Sequence, residues 1–249
     1  MQISPASARV AFTIHLEGAL SAAADVARIQ HVVHLFRGHH LPATWSIAGR
    51  DSLELMQHKG LLQDGDELAL AISSDSSMNV GQFRDTLRKR LAMIQTSTGT
   101  TIHMAAGEPT TLRNHAAILA EQGIHGILSN TRKPATALSH SPLPCGLWQL
   151  DYAISVPYQS WFARLLPGGS ALHQLNKLIS KDQTVLITVD AAQVAQASTR
   201  SLQSLEKLLR QVSHAASREE IAITTAGEIV AELTASRVAR PQHSILRAA

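Results

Sequence analysis

Ionisable side chains that could transfer protons or bind a metal follow two apolar segments of this chain. His15 and Glu17 come directly after the segment 9–14, and Asp75 comes three residues after the segment 67–72. Imidazole and carboxylate groups act as general acids and bases and as ligands of divalent cations. Whether these three side chains meet depends on the elements that carry them.

Short apolar, β-prone segments alternate with helical segments along most of the chain. One helical segment, 80–95, places Phe83, Leu87, Leu91 and Ile94 on one face. Strands that alternate with helices predict an α/β fold with a mainly parallel sheet, and about seven βα units favour a distorted (β/α) barrel over an open sheet. In such barrels functional side chains follow the carboxyl ends of the strands. The predicted strands are 9–14, 42–48, 67–72, 100–104, 125–128, 184–189 and 220–223.

The segment 130–169 departs from this alternation. It holds five of the nine prolines, so we expect a long excursion at one end of the barrel. Its aromatic side chains could form a platform on which a sugar stacks, or a hydrophobic plug that closes the barrel; the plug is favoured because exposed aromatic side chains are costly without a ligand. These side chains are Trp148, Tyr152, Tyr158, Trp161 and Phe162.

The positive charge of the chain belongs to its last sixteen residues. Of 22 Lys and Arg residues, three lie in 234–249, which has no acidic residue, so the other 19 balance the 19 Asp and Glu residues. A neutral body lacks the broad basic face that nucleic-acid binding requires, and we expect no nucleic-acid partner. The tail, which carries Arg237, Arg240 and Arg247, could contact an anionic partner, but a solvated tail is the favoured interpretation.

Cysteine content and the N-terminal sequence indicate a reducing compartment. Cys145 is the only cysteine, so no intramolecular disulfide can form. Residues 1–9 lack the pattern of a secretory signal, and no apolar segment is as long as a membrane-spanning helix. We therefore expect a cytoplasmic protein without a membrane span.

Several segments, taken in order, resemble the polysaccharide deacetylase family, also called the NodB-homology family or carbohydrate esterase family 4. They are the stretch Thr13 to Gly18, "HHLPATWSIAG", "GDELAL", "AEQGI" and "IAITTAGEIVAEL". The resemblance runs from about residue 9 to residue 233 and implies one distorted barrel domain, 1–233, followed by the basic tail 234–249. It also implies a role in exopolysaccharide or cell-envelope glycan metabolism.

Active members of the family use one Asp as general base, and a second Asp and two His residues to bind a divalent metal that polarises the acetamide. Carried over by position, the general base falls on His15 and the metal-binding Asp on Glu17. The two histidines of the family's His-x-x-x-His motif fall on Ala71 and Asp75. The resemblance therefore implies an altered metal site.

Two further family motifs are altered. The arginine of the Arg-x-Pro motif maps to about His103, ahead of the segment that contains Glu108 and Pro109. The late Leu-x-His motif maps to 187–189, with Val189 in place of the histidine and Asp190 directly after it. A methyl group at 71 and an isopropyl group at 189 can neither bind a metal nor transfer a proton. The candidate residues of a vestigial pocket are His15, Glu17, Asp75, His103, Glu108 and Asp190.

Three hypotheses remain open. The first is a protein that has lost the hydrolytic machinery and binds a glycan, a metabolite or a partner protein, with neither a cofactor nor a metal expected. The alternative is an active metal-dependent carbohydrate N-deacetylase or amidohydrolase, a hydrolase whose shifted ligand set is drawn from His15, Glu17, Asp75 and His103. The third is an assembly role, in which the region from Trp148 to Phe162 or the arginine tail contacts another protein.

Overall fold

The computed structural model describes residues 8–16, 23–49, 62–73, 78–129, 139–156, 171–196 and 199–239. Its ten strands are β1 Ala8–His15, β2 Thr44–Ile47, β3 Glu67–Ile72, β4 Met104–Gly107, β5 Gly126–Ser129, β6 Ser139–Pro142, β7 Trp148–Asp151, β8 Ile154–Val156, β9 Thr184–Asp190 and β10 Ile221–Thr224. The helices in the described segments are α1 Ala23–Gly38, α2 Val80–Thr98, α3 Pro109–Asn114, α4 Ala116–Glu121, α5 Ala171–Ile179, α6 Ala191–Gln196, α7 Thr199–Ser217 and α8 Ala226–Ala239.

One curled sheet contains all ten strands. Their order is β6-β7-β5-β4-β3-β2-β1-β9-β8, and β10 pairs with the first half of β1. Every pairing is parallel except that of β6 with β7. The expectation of an α/β protein with a distorted barrel is therefore confirmed. β1 is the central strand, because β9 pairs with one of its edges while β10 and β2 share the other.

Alternate side chains of each strand enter two different cores. In β1, Val10, Phe12 and Ile14 pack against the helices, whereas Ala11 faces the barrel interior. The interior core contains small residues from several strands together with side chains of α8, so this helix packs against the inward-facing side chains. Its members include Ala11, Ala69, Met104, Ala106, Leu128, Leu150, Leu186, Ala226, Ile229 and Val230.

Space for α8 depends on a glycine of the sheet. A Cβ atom on Gly126 would lie 2.7 Å from both the Met104 sulfur and a methyl group of Val230, so a side chain here would collide with the helix. α8 begins with a capping box, in which Thr225 N–H donates to the Glu228 carboxylate (2.9 Å) and Glu228 N–H donates to the Thr225 hydroxyl (3.3 Å).

The structure differs from the sequence-based expectations in two strand regions. Within the expected excursion, the described residues 139–156 form β6, β7 and β8, which belong to the sheet. The strand expected at 100–104 is β4, which runs from Met104 to Gly107. α8 continues past residue 233 to Ala239, and Thr234 accepts a hydrogen bond from the indole N–H of Trp148 (3.1 Å). Among the described segments, no helix is both long and apolar enough to span a membrane.

Candidate functional site

The carboxyl ends of the parallel strands form one end of the barrel, which we call the mouth. It is formed by His15 of β1, Ser46 of β2, Ile72 of β3, Gly107 of β4 and Asp190 of β9. We call the opposite end the base; it carries the first residues of the strands and the start of α8. Polar side chains that face inward near the mouth are the candidates for function.

A pair of buried side chains crosses the barrel at the mouth. His15 Nε2 lies 2.8 Å from the hydroxyl of Tyr152, and the two rings meet edge to face. His15 is 9% exposed and Tyr152 is 3% exposed. Tyr152 follows β7, far from β1 in the strand order, so closure of the sheet brings the two residues together. The phenol donates to Nε2 when that nitrogen carries no proton.

Asp190 lies opposite His15 on the neighbouring strand, and its carboxylate caps a helix. The strand register pairs the two residues directly. One Asp190 oxygen accepts from the backbone N–H of Gln193 (2.9 Å) and the other accepts from the Gln193 side chain (2.7 Å). The carboxylate therefore stabilises the first turn of α6, where the helix dipole favours a negative charge.

Two positions of the family resemblance can be assigned by the face on which they lie. Ala71 is buried on the inward face of β3, two residues after Ala69 of the interior core. Val189 belongs instead to the outer core, so a histidine there would point away from the mouth. Thr188, one residue earlier, pairs in register with Thr13 and faces inward.

The end of β4 leads into Pro109, the first residue of the next helix. Gly107 is the last residue of β4 and lies two residues before Pro109. A Cβ atom at Gly107 would lie 2.5 Å from the backbone oxygen of Ile72, so no side chain fits there. Glu108 follows at the exposed N-terminus of α3. Hydrogen bonds from the hydroxyls of Thr110 and Thr111 hold the pKa of its carboxyl below the usual value.

His103 lies at the base, because it precedes β4. Its Nδ1 is 3.2 Å from the carbonyl oxygen of Gly123, and its ring stacks on that of His125 with centroids 4.9 Å apart. His103 thus precedes the first residue of its strand, whereas His15 is the last residue of β1.

Glu67 is a buried carboxyl at the base. Its Oε2 accepts from the Thr44 hydroxyl (2.7 Å) and from Gly227 N–H in the first turn of α8 (2.9 Å). Burial raises the pKa of this carboxyl above its usual value, and the nearby Glu228 carboxylate adds to this effect, although both hydrogen bonds and His103 oppose it. Sequence reasoning missed this contact because its partners are 160 residues apart.

The described donors at the mouth do not fit the family's metal. Within the described segments, no group of three or more His, Cys, Asp or Glu side chains is arranged to hold a metal ion. Glu17 and Asp75 lie outside the described residues. The described inward positions offer His15, which contacts Tyr152, together with Ala71 and Thr188. No reaction step through a metal follows from this set.

Sequence reasoning singled out only part of this mouth. It identified His15 and Asp190, but it assigned Tyr152 to an aromatic platform or plug and gave no role to Thr13 or Ser46. Trp148 packs in the interior core, whereas Tyr158, Trp161 and Phe162 lie outside the described residues. Alternation within β1 could have identified Thr13, which is two residues before His15 and hence on the same face.

Comparisons with known proteins place the chain by its fold. No family model matches the sequence, and no curated protein matches it. Among solved structures, a protein provisionally assigned as a polysaccharide deacetylase from Mycobacterium smegmatis has a TM-score of 0.64 and 12% sequence identity, covering 94% of this chain and 92% of that one. An allantoinase has a TM-score of 0.63 and 13% identity, covering 93% of this chain and 92% of its own.

A third neighbour lacks enzymatic activity according to its description. It is a carbohydrate esterase family 4 pseudoenzyme from Bacillus anthracis, with a TM-score of 0.51 and 12% identity, covering 91% of this chain and 66% of its own. Identities this low establish a shared fold. The chain therefore has the distorted barrel found in polysaccharide deacetylases, in an allantoinase and in a pseudoenzyme of the same fold.

Proposed function

We propose that this protein is a polysaccharide-deacetylase-like barrel without metal-dependent deacetylase activity, whose mouth binds a glycan or a small metabolite. The observation that carries the proposal is the chemistry of two inward positions. Ala71 presents a methyl group where the resemblance places a metal-binding histidine, and Thr188, the inward-facing neighbour of Val189, presents a hydroxyl group. Neither group can complete a site for a divalent metal.

The contact of His15 with Tyr152 also supports loss of hydrolysis. A general base must accept a proton from water, and the Tyr152 hydroxyl already contacts His15 Nε2 within the barrel. The same pair can orient a bound ligand, because both groups hydrogen bond and both are held by burial. Ligand sites in proteins are typically apolar, with a few such polar groups that fix the orientation of the ligand.

The fold is compatible with this outcome. A pseudoenzyme shares the fold, and a second structure is described as a mutant of that pseudoenzyme with restored enzymatic activity. The same fold therefore occurs in proteins with and without enzymatic activity, and a binding role without hydrolysis is compatible with it.

Metal content and acetate release test the loss of activity. We expect purified protein incubated with zinc, cobalt, manganese or magnesium and then dialysed to retain less than one metal ion per chain, and to release no acetate from N-acetylglucosamine oligomers. Stoichiometric metal together with acetate release that is abolished by His15→Ala or Glu17→Ala would overturn the proposal. That result would favour the alternative ligand set of His15, Glu17 and Asp75.

Calorimetric titration tests the binding role, with N-acetylglucosamine oligomers, their deacetylated forms and their monosaccharides as probes. We expect at least one probe to bind, and Tyr152→Phe, which removes only the hydroxyl, to weaken binding about tenfold, the effect of losing about 1.4 kcal/mol. His125→Ala at the base is the matched control and should bind as the wild type does. Equal loss in both variants, or no binding of any probe, contradicts a carbohydrate ligand at the mouth.

A further inference from the structure

Four hydroxyl-bearing side chains lie side by side on the inward faces of β1, β2 and β9. We call Thr13, Thr44, Ser46 and Thr188 the hydroxyl cluster. Thr13 pairs in register with Thr44 on one side and with Thr188 on the other, and Ser46 pairs with His15. Their inward orientation follows from Ala11, which lies two residues before Thr13 and belongs to the interior core.

The hydrogen bonds of two members of this cluster are incomplete. The Thr44 hydroxyl donates to Glu67 (2.7 Å) and accepts from Ala226 N–H (3.0 Å). Thr13 and Ser46 are each 0% exposed, yet neither hydroxyl has a hydrogen-bond partner among the described residues. The two hydroxyls are diagonal neighbours on adjacent strands, so one small bound molecule can contact both.

Surrounding side chains do not supply the partner. The next strands present Ala69, Ala71 and Ala106 on their inward faces, and methyl groups neither donate nor accept. An unmade hydrogen bond costs about 1–3 kcal/mol for each buried hydroxyl, and such groups in proteins are usually satisfied by protein atoms or by ordered water. The alanine side chains on these neighbouring strands are also small, which favours room for a small molecule next to the hydroxyls.

We infer that Thr13 and Ser46 bind an ordered internal water beneath the His15–Tyr152 pair. The bound molecule must be neutral, because a buried ion needs a charged partner and both hydroxyls are uncharged. The nearby Glu67 carboxylate already accepts hydrogen bonds from Thr44 and Gly227. Water can donate and accept at once, as two hydroxyls require. This inference rests on the strand register and on burial; it is independent of the proposed function, so either can fail without the other.

Crystallography of the wild-type protein, at a resolution that shows ordered waters, tests the site directly. We expect one water within hydrogen-bond distance of both Thr13 Oγ1 and Ser46 Oγ. Density for a side chain such as that of Glu17, for a different ligand, or for no atom at all between the two hydroxyls would overturn the inference.

The stability of Thr13→Val gives a test with an opposite sign for each case. If water is bound, the isosteric substitution removes one of its hydrogen bonds and lowers the melting temperature by about 2–4 °C. The double variant with Thr13→Val and Ser46→Ala then loses less stability than the sum of the losses in the two single variants, because both substitutions affect the same water. If the hydroxyl lacks a partner, valine removes an unsatisfied group and raises the melting temperature, which overturns the inference. Thr44→Val, which removes two observed hydrogen bonds, is the control for a satisfied hydroxyl.

Discussion

At the scale of single residues, the mouth of this barrel differs from its base in the kind of polar group that it buries. The mouth holds the hydrogen-bonded pair of His15 and Tyr152, whereas the base holds the carboxyl of Glu67. The pair at the mouth is the one that we propose to contact a ligand. The carboxyl at the base instead holds the first turn of α8 in place, so we assign it a structural role.

Gly227→Ala tests the fit between Glu67 and α8. A Cβ atom at Gly227 would overlap Glu67 Oε1, so we expect a loss of about 2–4 kcal/mol in the free energy of unfolding, although alanine favours helix by about 1 kcal/mol. Gly81→Ala in α2 is the matched control, because its Cβ atom would lie at an ordinary 3.4 Å from Asn79 Oδ1. Denaturant unfolding measures both variants, and equal stability changes would contradict the predicted overlap.

Glu67→Gln tests the raised pKa of this carboxyl. A folded-state pKa above the unfolded value of 4.5 means that the folded protein binds more protons between these two values, so this group makes the wild type lose stability as pH rises through that window. Glutamine keeps an acceptor for Gly227 N–H without the charge. We therefore expect the variant to gain stability relative to the wild type from pH 4 towards neutral pH in thermal unfolding. A stability difference that does not change with pH would contradict the raised pKa.

At the scale of elements, a buried ion pair connects α1 to the loop before β3. Arg37 near the end of α1 binds the carboxylate of Asp66, which also accepts from the backbone N–H groups of Gln63 (2.8 Å) and Ala43 (3.1 Å). The guanidinium lies 5.2 Å from the centre of the Trp45 ring. These contacts fix the start of β3, which begins with Glu67.

Asp66→Ala tests this connection. Removing one partner leaves the guanidinium buried without its carboxylate, and we expect a loss of about 3–5 kcal/mol that changes little with salt. Glu206→Ala breaks the exposed pair of Glu206 with Arg210 in α7 and should cost less than about 1 kcal/mol. Urea unfolding at low and high ionic strength compares the two, and a small, salt-sensitive effect at Asp66 would contradict the prediction.

At the scale of the whole molecule, the C-terminal helix is part of the barrel. Its residues Ile229 and Val230 belong to the interior core, and Arg9 of β1 pairs with Glu232. The helix therefore packs against the inward-facing side chains of several strands. Residues 234–239, which the sequence analysis assigned to the tail 234–249, form the end of this helix.

Two truncations test where the barrel ends. Removing residues 234–249 deletes Thr234, the partner of Trp148, so we expect a melting temperature several degrees lower. Removing only 240–249 should leave both the melting temperature and the oligomeric state by light scattering unchanged, as a solvated tail requires. A change of oligomeric state with the shorter truncation would instead support the assembly role.

Much of the fold could be predicted from local sequence patterns. Mostly apolar runs located β1, β3 and β9 to within one residue at each end, because a parallel strand that is buried on both faces consists largely of apolar residues. The altered chemistry at Ala71 was also evident from residue type alone. Which residues face inward was harder to predict, since a shift of one residue reverses the face: Val189 belongs to the outer core, whereas Thr188 faces inward.

The sequence by itself determined the α/β alternation, the neutral body and the lack of metal-binding groups at particular positions, since these depend on residue type and local order. Only the tertiary structure decided which polar groups meet. His15 contacts Tyr152 across 137 residues and Glu67 contacts Gly227 across 160, because sheet closure and strand register bring together side chains whose separation in sequence carries no signal. For the same reason, the structure placed His103 at the base, away from the mouth where the sequence comparison had placed it.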